Sequence, residues 1–454
     1  MSITKKIKEF FLFDKVLFLF LFSSLMYVII YNLLHYDPIL GYDAEAHYAY
    51  VDTLSRYLPR KIYIPTSVDT REFFNPPLAY VFPSVVQVFC RNLIESENFL
   101  NDCKPIYGNL TQIFQNLLFI ISLFINMKSI NRLCKKESYI NVSYLILSML
   151  LAVNYKAISM LRGEVYILFF LSLIIYKYID LEKKNFQFKL SDALYFGVLI
   201  GLIGLSRQWA FLLFPGLLIV YFKKELKNKV DYSKFTFLSF LVGFMVSGWY
   251  YILNFLNYGT FIPFNSDTSK LKLSNIEFFN LKSARDYLFT QPIRPNFNNQ
   301  FFSIFYSDLW GDYWGYFVFT SRFLDVGRDQ MIIGEYLGRV NRISIVTTLL
   351  ILIGFTLNTI KNRSLVVSYI NISIFVTFIG YLWFVFRYPT SGQGDTIKST
   401  YMVQLFNLLI FCTTLFLENL KSKKLYFLII SILIFIFFYN FESYLAHFPI
   451  YYPR

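Results

Sequence analysis

Long runs of apolar residues with few or no charges recur along this chain of 454 residues and restrict what it can fold into. The first of them, Val16 to Leu34, carries no charge and is long enough to cross a hydrocarbon core of about 30 Å as a helix. We interpret it as a retained membrane span and not a cleaved signal peptide, because no small-residue cleavage site follows it. With 56% hydrophobic and 21% aromatic residues, the sequence predicts an all-α polytopic membrane protein.

Further apolar runs follow along the chain, and several are shorter than the roughly 20 residues that a membrane-spanning helix normally needs. Tilting or polar flanks would have to complete these shorter spans. The runs are Leu110 to Met127, Ile140 to Tyr155, Val165 to Tyr176, Ala193 to Ser206, Gln208 to Phe222, Phe235 to Leu256, Ile343 to Ile360, Ser364 to Phe386, Ser399 to Leu417 and Leu425 to Asn440.

The segment from Pro77 to Ile94 decides the topology, because it is apolar but contains Pro83 and Arg91. If it does not cross, every short connection on the amino-terminal side is basic, as the positive-inside rule requires of a cytoplasmic face. We therefore predict that this segment is a juxtamembrane helix and that the chain has about eleven transmembrane helices. The amino terminus is then cytoplasmic, in a cell (inner or plasma) membrane, and the carboxyl terminus lies outside.

This topology makes residues 1–454 a single transmembrane domain with two large polar loops. The first external loop covers residues 35–109 and holds the juxtamembrane helices, and a long external loop covers 257–342. The net charge of +14 does not indicate nucleic-acid binding, because the basic residues are scattered between apolar runs. Among the cysteines only Cys90 and Cys103 share an oxidising compartment, so a disulfide between them is an option.

Asp43, Glu45 and His47 follow closely after the first span, in a chain with few acids. On a helix Asp43 and His47 share a face, whereas Asp43 and Glu45 do not. A carboxylate near an imidazole suits general-base catalysis, and the three side chains are also candidate ligands of a divalent metal ion. The alternative is an ordinary capped and solvated surface helix that begins near Asp43.

Arg162, Glu164 and Arg207 lie at the predicted outer ends of spans. Charges near the hydrocarbon edge are costly unless they pair or face a wet cavity. They are candidates for a basic pocket that binds a lipid phosphate group. Snorkelling of the arginines, or a structural contact between Arg162 and Glu164, is the alternative.

Two later segments add polar side chains to the same predicted face. Asp308 and Asp312 stand among aromatic residues in SDLWGDYWGY, a composition that suits a sugar but also an interfacial belt. Both acids are further candidates for oxygen ligands of a metal ion. Lys398 precedes Tyr401 in GQGDTIKSTY, at the start of a span, where it either meets a phosphate or snorkels.

In the order of these motifs the chain resembles the GT-C superfamily of polytopic glycosyltransferases, which includes the protein O-mannosyltransferases and the aminoarabinose transferases that modify lipid A. The resemblance rests on the motifs DAEAHY from Asp43, NPPLAY from Asn75, Arg162 after the third span, GWY from Gly248 through Tyr258-Gly259, and KSTY from Lys398. It covers most of the chain and implies a GT-C fold.

The resemblance implies transfer of a sugar from a polyprenyl phosphate donor to an acceptor on the outer side. Asp43 matches the family's loop carboxylate, which takes a proton from the acceptor as it attacks the anomeric carbon. Relatives often have adjacent Asp and Glu, whereas Ala44 separates Asp43 from Glu45 here, so either acid is a candidate base. The expected substrate-binding residues are His47, Tyr48, Arg162, Glu164, Arg207, Asp308, Asp312, Lys398 and Tyr401.

The expected partners are the lipid-linked sugar, a lipid, glycan or protein acceptor, and membrane lipids. No cofactor is assigned beyond the open question of a divalent metal ion. Two other classes compete with this interpretation. A polysaccharide polymerase or ligase would be expected to concentrate its charges in the late loops, and a lipid or sugar transporter would be expected to show paired broken helices or repeat symmetry, which the sequence does not indicate.

Overall fold

The computed structural model describes residues 3–94, 99–134, 142–265, 279–297, 299–319, 328–388, 396–420 and 422–447, and in these ranges the regular structure is helical, without strands. The α-helices are α1 (Ile3–His35), α2 (Ala44–Tyr57), α3 (Leu78–Leu93), α4 (Phe99–Leu133), α5 (Val142–Leu150), α6 (Ala152–Ser159), α7 (Glu164–Lys183), α8 (Leu190–Gly204), α9 (Pro215–Ile219), α10 (Lys229–Tyr258), α11 (Lys282–Tyr287), α12 (Arg294–Phe297), α13 (Phe301–Trp310), α14 (Arg328–Lys361), α15 (Leu365–Arg387), α16 (Val403–Glu418) and α17 (Lys423–Tyr439). Short 3-10 helices lie at Gln208–Leu213, Val220–Phe222, Ser399–Met402 and Phe441–Tyr444.

Long apolar helices confirm that the chain has the character of an α-helical, multi-pass membrane protein. Within the described ranges, six helical stretches are long and apolar enough to cross a bilayer: Asp14–His35, Asp102–Leu133, Lys229–Tyr258, Ile333–Lys361, Leu365–Arg387 and Ser399–Glu418. Shorter apolar helices cover Leu190–Gly204, Gln208–Phe222 and Lys424–Tyr439. The predicted apolar runs therefore fall on helical segments, while the count of eleven spans stays a prediction.

One span is broken, which the sequence did not indicate. Helices α5 and α6 meet at Leu151 with a bend of 72° and together make a seventh apolar stretch if they are counted as one. Leu151 has an extended backbone that separates the two helices. The bend turns α6 towards α13, so that Lys156 of α6 meets the carboxylate of Asp308.

The helices with the largest buried share of their residues form the centre of the bundle. The apolar stretch that contains α16 is 83% buried, whereas that of α1 is 28% buried, which places α16 inside and α1 at the periphery. Every residue of α5 is buried as well. Around this centre α8 packs along α10, α4 along α7, and α14 along α16.

The first loop (residues 35–109) folds into α2 and α3, which pack on each other and on the beginning of α4. The ring of Tyr50 stacks on that of Tyr80 at 3.9 Å. The carboxylate of Asp52 accepts hydrogen bonds from Gln87 and from Tyr107. Together these contacts hold α2, α3 and the beginning of α4 against one another.

Helix α3 keeps one apolar stripe exposed at a spacing of four residues, namely Val81, Val85, Phe89 and Leu93. Its opposite side is buried and polar in part, with Ser84 and Gln87. An apolar stripe opposite a packed polar face is the pattern of a helix that lies in a membrane interface. The helix predicted for Pro77 to Ile94 therefore exists, and its juxtamembrane location remains a prediction.

A disulfide joins Cys90 of α3 to Cys103 of α4, as the predicted topology allowed. The two cysteines are 13 residues apart, and the bond ties the end of the first loop to the beginning of a long apolar helix. Cys134 and Cys412 are free thiols. A disulfide at this end of α4 is compatible with the predicted external position of the first loop, which stays a prediction.

We expect a Cys90→Ser/Cys103→Ser variant to be less stable by about 2–4 kcal/mol, because the unfolded chain is no longer cross-linked. The measurement is the free energy of unfolding of purified protein in detergent. Cys134→Ser is the matched control and should leave stability unchanged within about 0.5 kcal/mol. An equally small effect of the double variant would show that the cross-link does not constrain the first loop.

Candidate functional site

Asp43 occupies the N-cap position of α2 and has a left-handed backbone, with φ of 54°. Aspartate adopts this conformation more readily than most residues. Its side chain does not cap the helix. Instead Oδ1 accepts a hydrogen bond from Nη2 of Arg71 at 2.7 Å, and Oδ2 accepts one from Nζ of Lys398 at 3.3 Å. A carboxylate from the first loop is thus joined to a lysine 355 residues away.

The charges around Asp43 decide its protonation state. Burial alone would raise the pKa of Asp43, but the positive charges of Lys398 and Arg162 outweigh burial and hold the pKa well below its usual value. Burial would lower the pKa of Lys398, whereas Tyr401 and Asp43 raise it, and the net change is upward. Both groups therefore stay ionised at neutral pH, and Asp43 has little tendency to take up a proton.

Arg162 reaches the same place from the turn before α7. It is buried, and its Nη2 donates a hydrogen bond to the Tyr42 carbonyl at 3.1 Å. The ring of Tyr42 lies close to two cations. Its centroid is 5.3 Å from the guanidinium carbon of Arg162 and 4.9 Å from Nζ of Lys398. The Nε atom of Arg162 is buried and, among the described residues, has no hydrogen-bond partner.

Arg207 and Glu164 form a second ion pair beside this group. Nε of Arg207 donates to Oε1 of Glu164 at 3.1 Å, and its Nη1 donates to the side-chain oxygen of Asn75 in the first loop. Glu164 therefore pairs with Arg207. The alternative given by the sequence was a contact between Glu164 and Arg162. Nη2 of Arg207 and Oε2 of Glu164 are buried without a partner in the described part of the chain.

Gly163 allows these two turns to meet. A Cβ atom at this position would lie 2.1 Å from the carbonyl oxygen of Ser206 and 2.9 Å from Cγ of Arg207. Only glycine avoids this overlap with backbone atoms. The sequence Arg162-Gly163-Glu164 thus brings its arginine and its glutamate against the turn that carries Arg207.

His47 and Glu72 lie deeper in the first loop. The imidazole of His47 is 2% exposed and its Nδ1 is 2.7 Å from the hydroxyl of Tyr80. Glu72 is also buried and accepts a hydrogen bond from the Asn75 amide. Burial raises the pKa of Glu72 against the opposing charge of Arg207, and burial with the charges of Arg162 and Arg207 lowers the pKa of His47.

A separate, fully buried ion pair lies behind Asp43. Lys156 of α6 donates to Oδ1 of Asp308 at 2.7 Å, and neither side chain is exposed. The same carboxylate accepts hydrogen bonds from the hydroxyl of Tyr42 and from the backbone N–H and hydroxyl of Ser399. Asp308 therefore binds Tyr42, which precedes Asp43 in the chain, and Ser399, which follows Lys398.

Asp312 has a comparable internal role. Its carboxylate accepts hydrogen bonds from the backbone N–H groups of Tyr316, Phe317, Val318 and Phe319, and it is buried. The oxygens of Asp308 and Asp312 are thus occupied within the protein. Both acids were expected to contact substrate, and that role stays a prediction beside the internal contacts that the structure shows.

The structure brings most of the predicted site residues together around Asp43, from segments far apart in sequence. This group, the Asp43 cluster, consists of Asp43, His47, Glu72, Arg162, Glu164, Arg207, Lys398 and Tyr401, which are linked by the contacts above and by mutual electrostatic influence. Tyr401 contributes a ring centroid 5.8 Å from Lys398 Nζ.

Four predicted residues lie outside the cluster, and two of them are Asp308 and Asp312, whose internal contacts are given above. Glu45 is exposed, and the Tyr48 hydroxyl donates to the Pro38 carbonyl while its ring packs on Tyr107. The segment 392–395, which precedes Lys398, lies outside the described residues. Sequence reasoning missed Glu72, although this acid stands only three residues before the NPPLAY motif.

A metal site of the expected kind is not assembled. In the ranges that the structure describes, no three His, Cys, Asp or Glu side chains come close enough together to hold a metal ion. Asp43 is engaged by two cations, Glu45 faces outward and His47 faces Glu72 and Tyr80. The candidate ligands Asp43, Glu45 and His47 therefore do not form one donor set, and no step is assigned to a metal.

We expect Asp308→Asn to lower the free energy of unfolding by about 3–5 kcal/mol, because it leaves the Lys156 charge buried without its partner. Adding Lys156→Met should recover part of this loss. Glu442→Gln is the control, since the half-exposed pair of Arg339 and Glu442 should contribute only about 0–1 kcal/mol. Equal costs for Asp308→Asn and Glu442→Gln, measured by unfolding in detergent, would contradict a structural role of the buried pair.

Comparison of the chain with protein-family models, with curated proteins and with solved structures finds no match in any of the three. The functional assignment accordingly depends on the chemistry of the Asp43 cluster.

Proposed function

We propose that the protein is a glycosyltransferase of the GT-C type, which moves a sugar from a polyprenyl phosphate to an acceptor hydroxyl or amine at the outer membrane face. The observation that carries this proposal is the Asp43 cluster. Arg162, Arg207 and Lys398 come from three separate segments and meet beside a first-loop carboxylate. Structural pairing alone does not account for two of their donors, Nε of Arg162 and Nη2 of Arg207, which have no partner within the described ranges.

The chemistry of glycosyl transfer from a lipid phosphate needs such a set of groups. As the bond between the anomeric carbon and the phosphate oxygen breaks, negative charge grows on the phosphate. Preorganised cations in a low-dielectric site stabilise that charge more than water does. Arg162 and Lys398 flank the ring of Tyr42 and are suited to this task. Direct attack by the acceptor inverts the anomeric centre, and a carboxylate of the first loop takes the proton.

The placement of the cluster suits a donor that is anchored in a membrane. The cluster lies where α2, the turn before α7 and the beginning of the Ser399–Glu418 stretch meet, so its cations stand at the ends of apolar helices. A phosphate head group presented at the hydrocarbon boundary can reach such a site while its polyprenyl chain stays in lipid. Helix α3, which packs on α2, and helix α4, which packs on α3, both expose apolar side chains. These surfaces are available for contact with the polyprenyl chain.

One observation favours a transporter as the second candidate. The break between α5 and α6 resembles the discontinuous helices that form substrate sites in transporters. Its carbonyl and side-chain groups, however, are used internally, since Asn154 donates to the Ser148 carbonyl and Tyr155 to the Met149 carbonyl. Lys156 in α6 is likewise held by Asp308. The break therefore has a structural cause in this chain.

The test is donor turnover by purified protein given a panel of polyprenyl phosphate sugars, followed by the release of free polyprenyl phosphate. We expect turnover with at least one sugar and a loss of about 10²-fold or more in Asp43→Asn, because its partners Lys398 and Arg71 are then released. Glu335→Gln, an exposed acid on α14, is the control and should retain full activity. No turnover with any donor, even with membrane extract as the acceptor, would favour a polymerase, a ligase or a transporter.

Lys398→Met should weaken donor binding by about 1.5–3 kcal/mol, roughly 10- to 150-fold, because one charged contact to the phosphate is lost. Lys398 is a better probe than Arg207, whose removal leaves Glu164 buried without its partner. The measurement is the affinity of the wild type and of Lys398→Met for a non-transferable polyprenyl phosphate analogue. Unchanged affinity would exclude Lys398 from the phosphate site.

A further inference from the structure

The imidazole of His47 has one satisfied and one unsatisfied nitrogen. Nδ1 lies 2.7 Å from the hydroxyl of Tyr80, while Nε2 is buried without a hydrogen-bond partner among the described residues. Oε2 of the Glu72 carboxylate lies 3.9 Å from Nε2. This distance is too long for a direct hydrogen bond and is suited to one bridging oxygen atom.

The chemistry of the two groups defines what can bridge them. If the Tyr80 hydroxyl donates to Nδ1, the proton of neutral His47 resides on Nε2 and points towards the Glu72 carboxylate. A bridging atom must then accept from Nε2–H and donate to Oε2. A hydroxyl group does both, whereas a phosphate or carbonyl oxygen only accepts. A hydroxyl group beside Nε2 of His47 and Oε2 of Glu72 would therefore satisfy both atoms.

Glu72 is also the first-loop carboxylate better placed to receive a proton. Both oxygens of Asp43 face cations, Arg71 on one side and Lys398 on the other. Glu72 accepts a hydrogen bond from the neutral amide of Asn75. Burial raises the pKa of Glu72, whereas the surrounding cations lower that of Asp43. Two carboxylates with oppositely shifted pKa values commonly divide the roles of base and charge stabiliser.

Glu72 belongs to the same electrostatic unit as the proposed phosphate site. The charges that act on it are those of Arg207, Asp43, Arg162 and Lys398, which come from four different segments of the chain. A hydroxyl held at Glu72 is therefore close to the cations that would bind the leaving phosphate. The two halves of a displacement reaction are then present in one cluster.

We propose that the nucleophilic hydroxyl of the acceptor binds between His47 and Glu72, and that Glu72 takes its proton. This rests on the glycosyl transfer proposed above. The acceptor oxygen forms a bond to the anomeric carbon, and the bond from that carbon to the phosphate oxygen breaks. The phosphate leaves with the electron pair, and the acceptor proton moves to the Glu72 carboxylate. Asp43 stays ionised and positions Lys398 and Arg71.

The experiment uses the full-length protein, a polyprenyl phosphate sugar that the wild type turns over, and water or membrane extract as the acceptor. Glu72→Gln keeps the shape of the side chain and an oxygen for the Asn75 contact. We expect its kcat to fall by about 10²- to 10⁴-fold while donor affinity is unchanged. Glu335→Gln provides the matched control. Full activity of Glu72→Gln would overturn the proposal.

Azide separates loss of a base from loss of structure, because it is a nucleophile that carries no proton to remove. We expect azide to restore release of polyprenyl phosphate in Glu72→Ala, with a glycosyl azide of inverted configuration as the product, and not in Asp43→Ala. Rescue of Asp43→Ala alone would make Asp43 the base and overturn the proposal. If the wild type turns over no donor, the glycosyltransferase assignment fails and this proposal fails with it.

Discussion

The buried ion pair of Lys156 and Asp308 is the interaction on which the geometry of the site depends. Asp308 binds α6 through Lys156, the segment before α16 through Ser399, and the first loop through Tyr42. A buried pair contributes little net stability compared with apolar residues, but it penalises every arrangement that separates its partners. Because Tyr42 and Ser399 are the chain neighbours of Asp43 and Lys398, fixing them also fixes that second pair.

The Asp43 cluster illustrates how a low-dielectric site can keep several charges without neutralising them. Each cation has an acid or a carbonyl within reach, yet the set is not saturated, since Arg162, Arg207, Glu164 and His47 each retain a buried atom without a partner in the described residues. Unsatisfied buried polar atoms are costly and are rare in folded proteins. In this cluster the four atoms belong to ionisable side chains, and they are the groups that the proposed lipid-linked sugar and its acceptor would contact.

The sequence predicted the helical membrane class and much of the site, because both depend on local signals. Apolar runs mark helices, and charges next to such runs stand out, as with Arg162, Arg207 and Lys398. It could not predict the bend between α5 and α6, which brings Lys156 to Asp308 across 152 residues, because no local signal marks so distant a contact. It also missed Glu72, which stands out only through its burial near His47, and it could not show that Glu45 is exposed at the start of α2. The GT-C fold and the eleven spans stay predictions.

The first loop supplies two acids whose surroundings differ for reasons that can be traced to the chain. Asp43 stands at a left-handed turn that opens towards Arg71 and the loop of Lys398, so it acquires cations on both sides. Glu72 lies in the turn that leads into Pro76 and Pro77, where Asn75 and His47 enclose it. A proton would therefore prefer Glu72 over Asp43 even though both acids are in one loop. In the proposed transfer, such a difference would let one short segment hold the cations that face the donor phosphate and also accept a proton, which two equivalent carboxylates could not do.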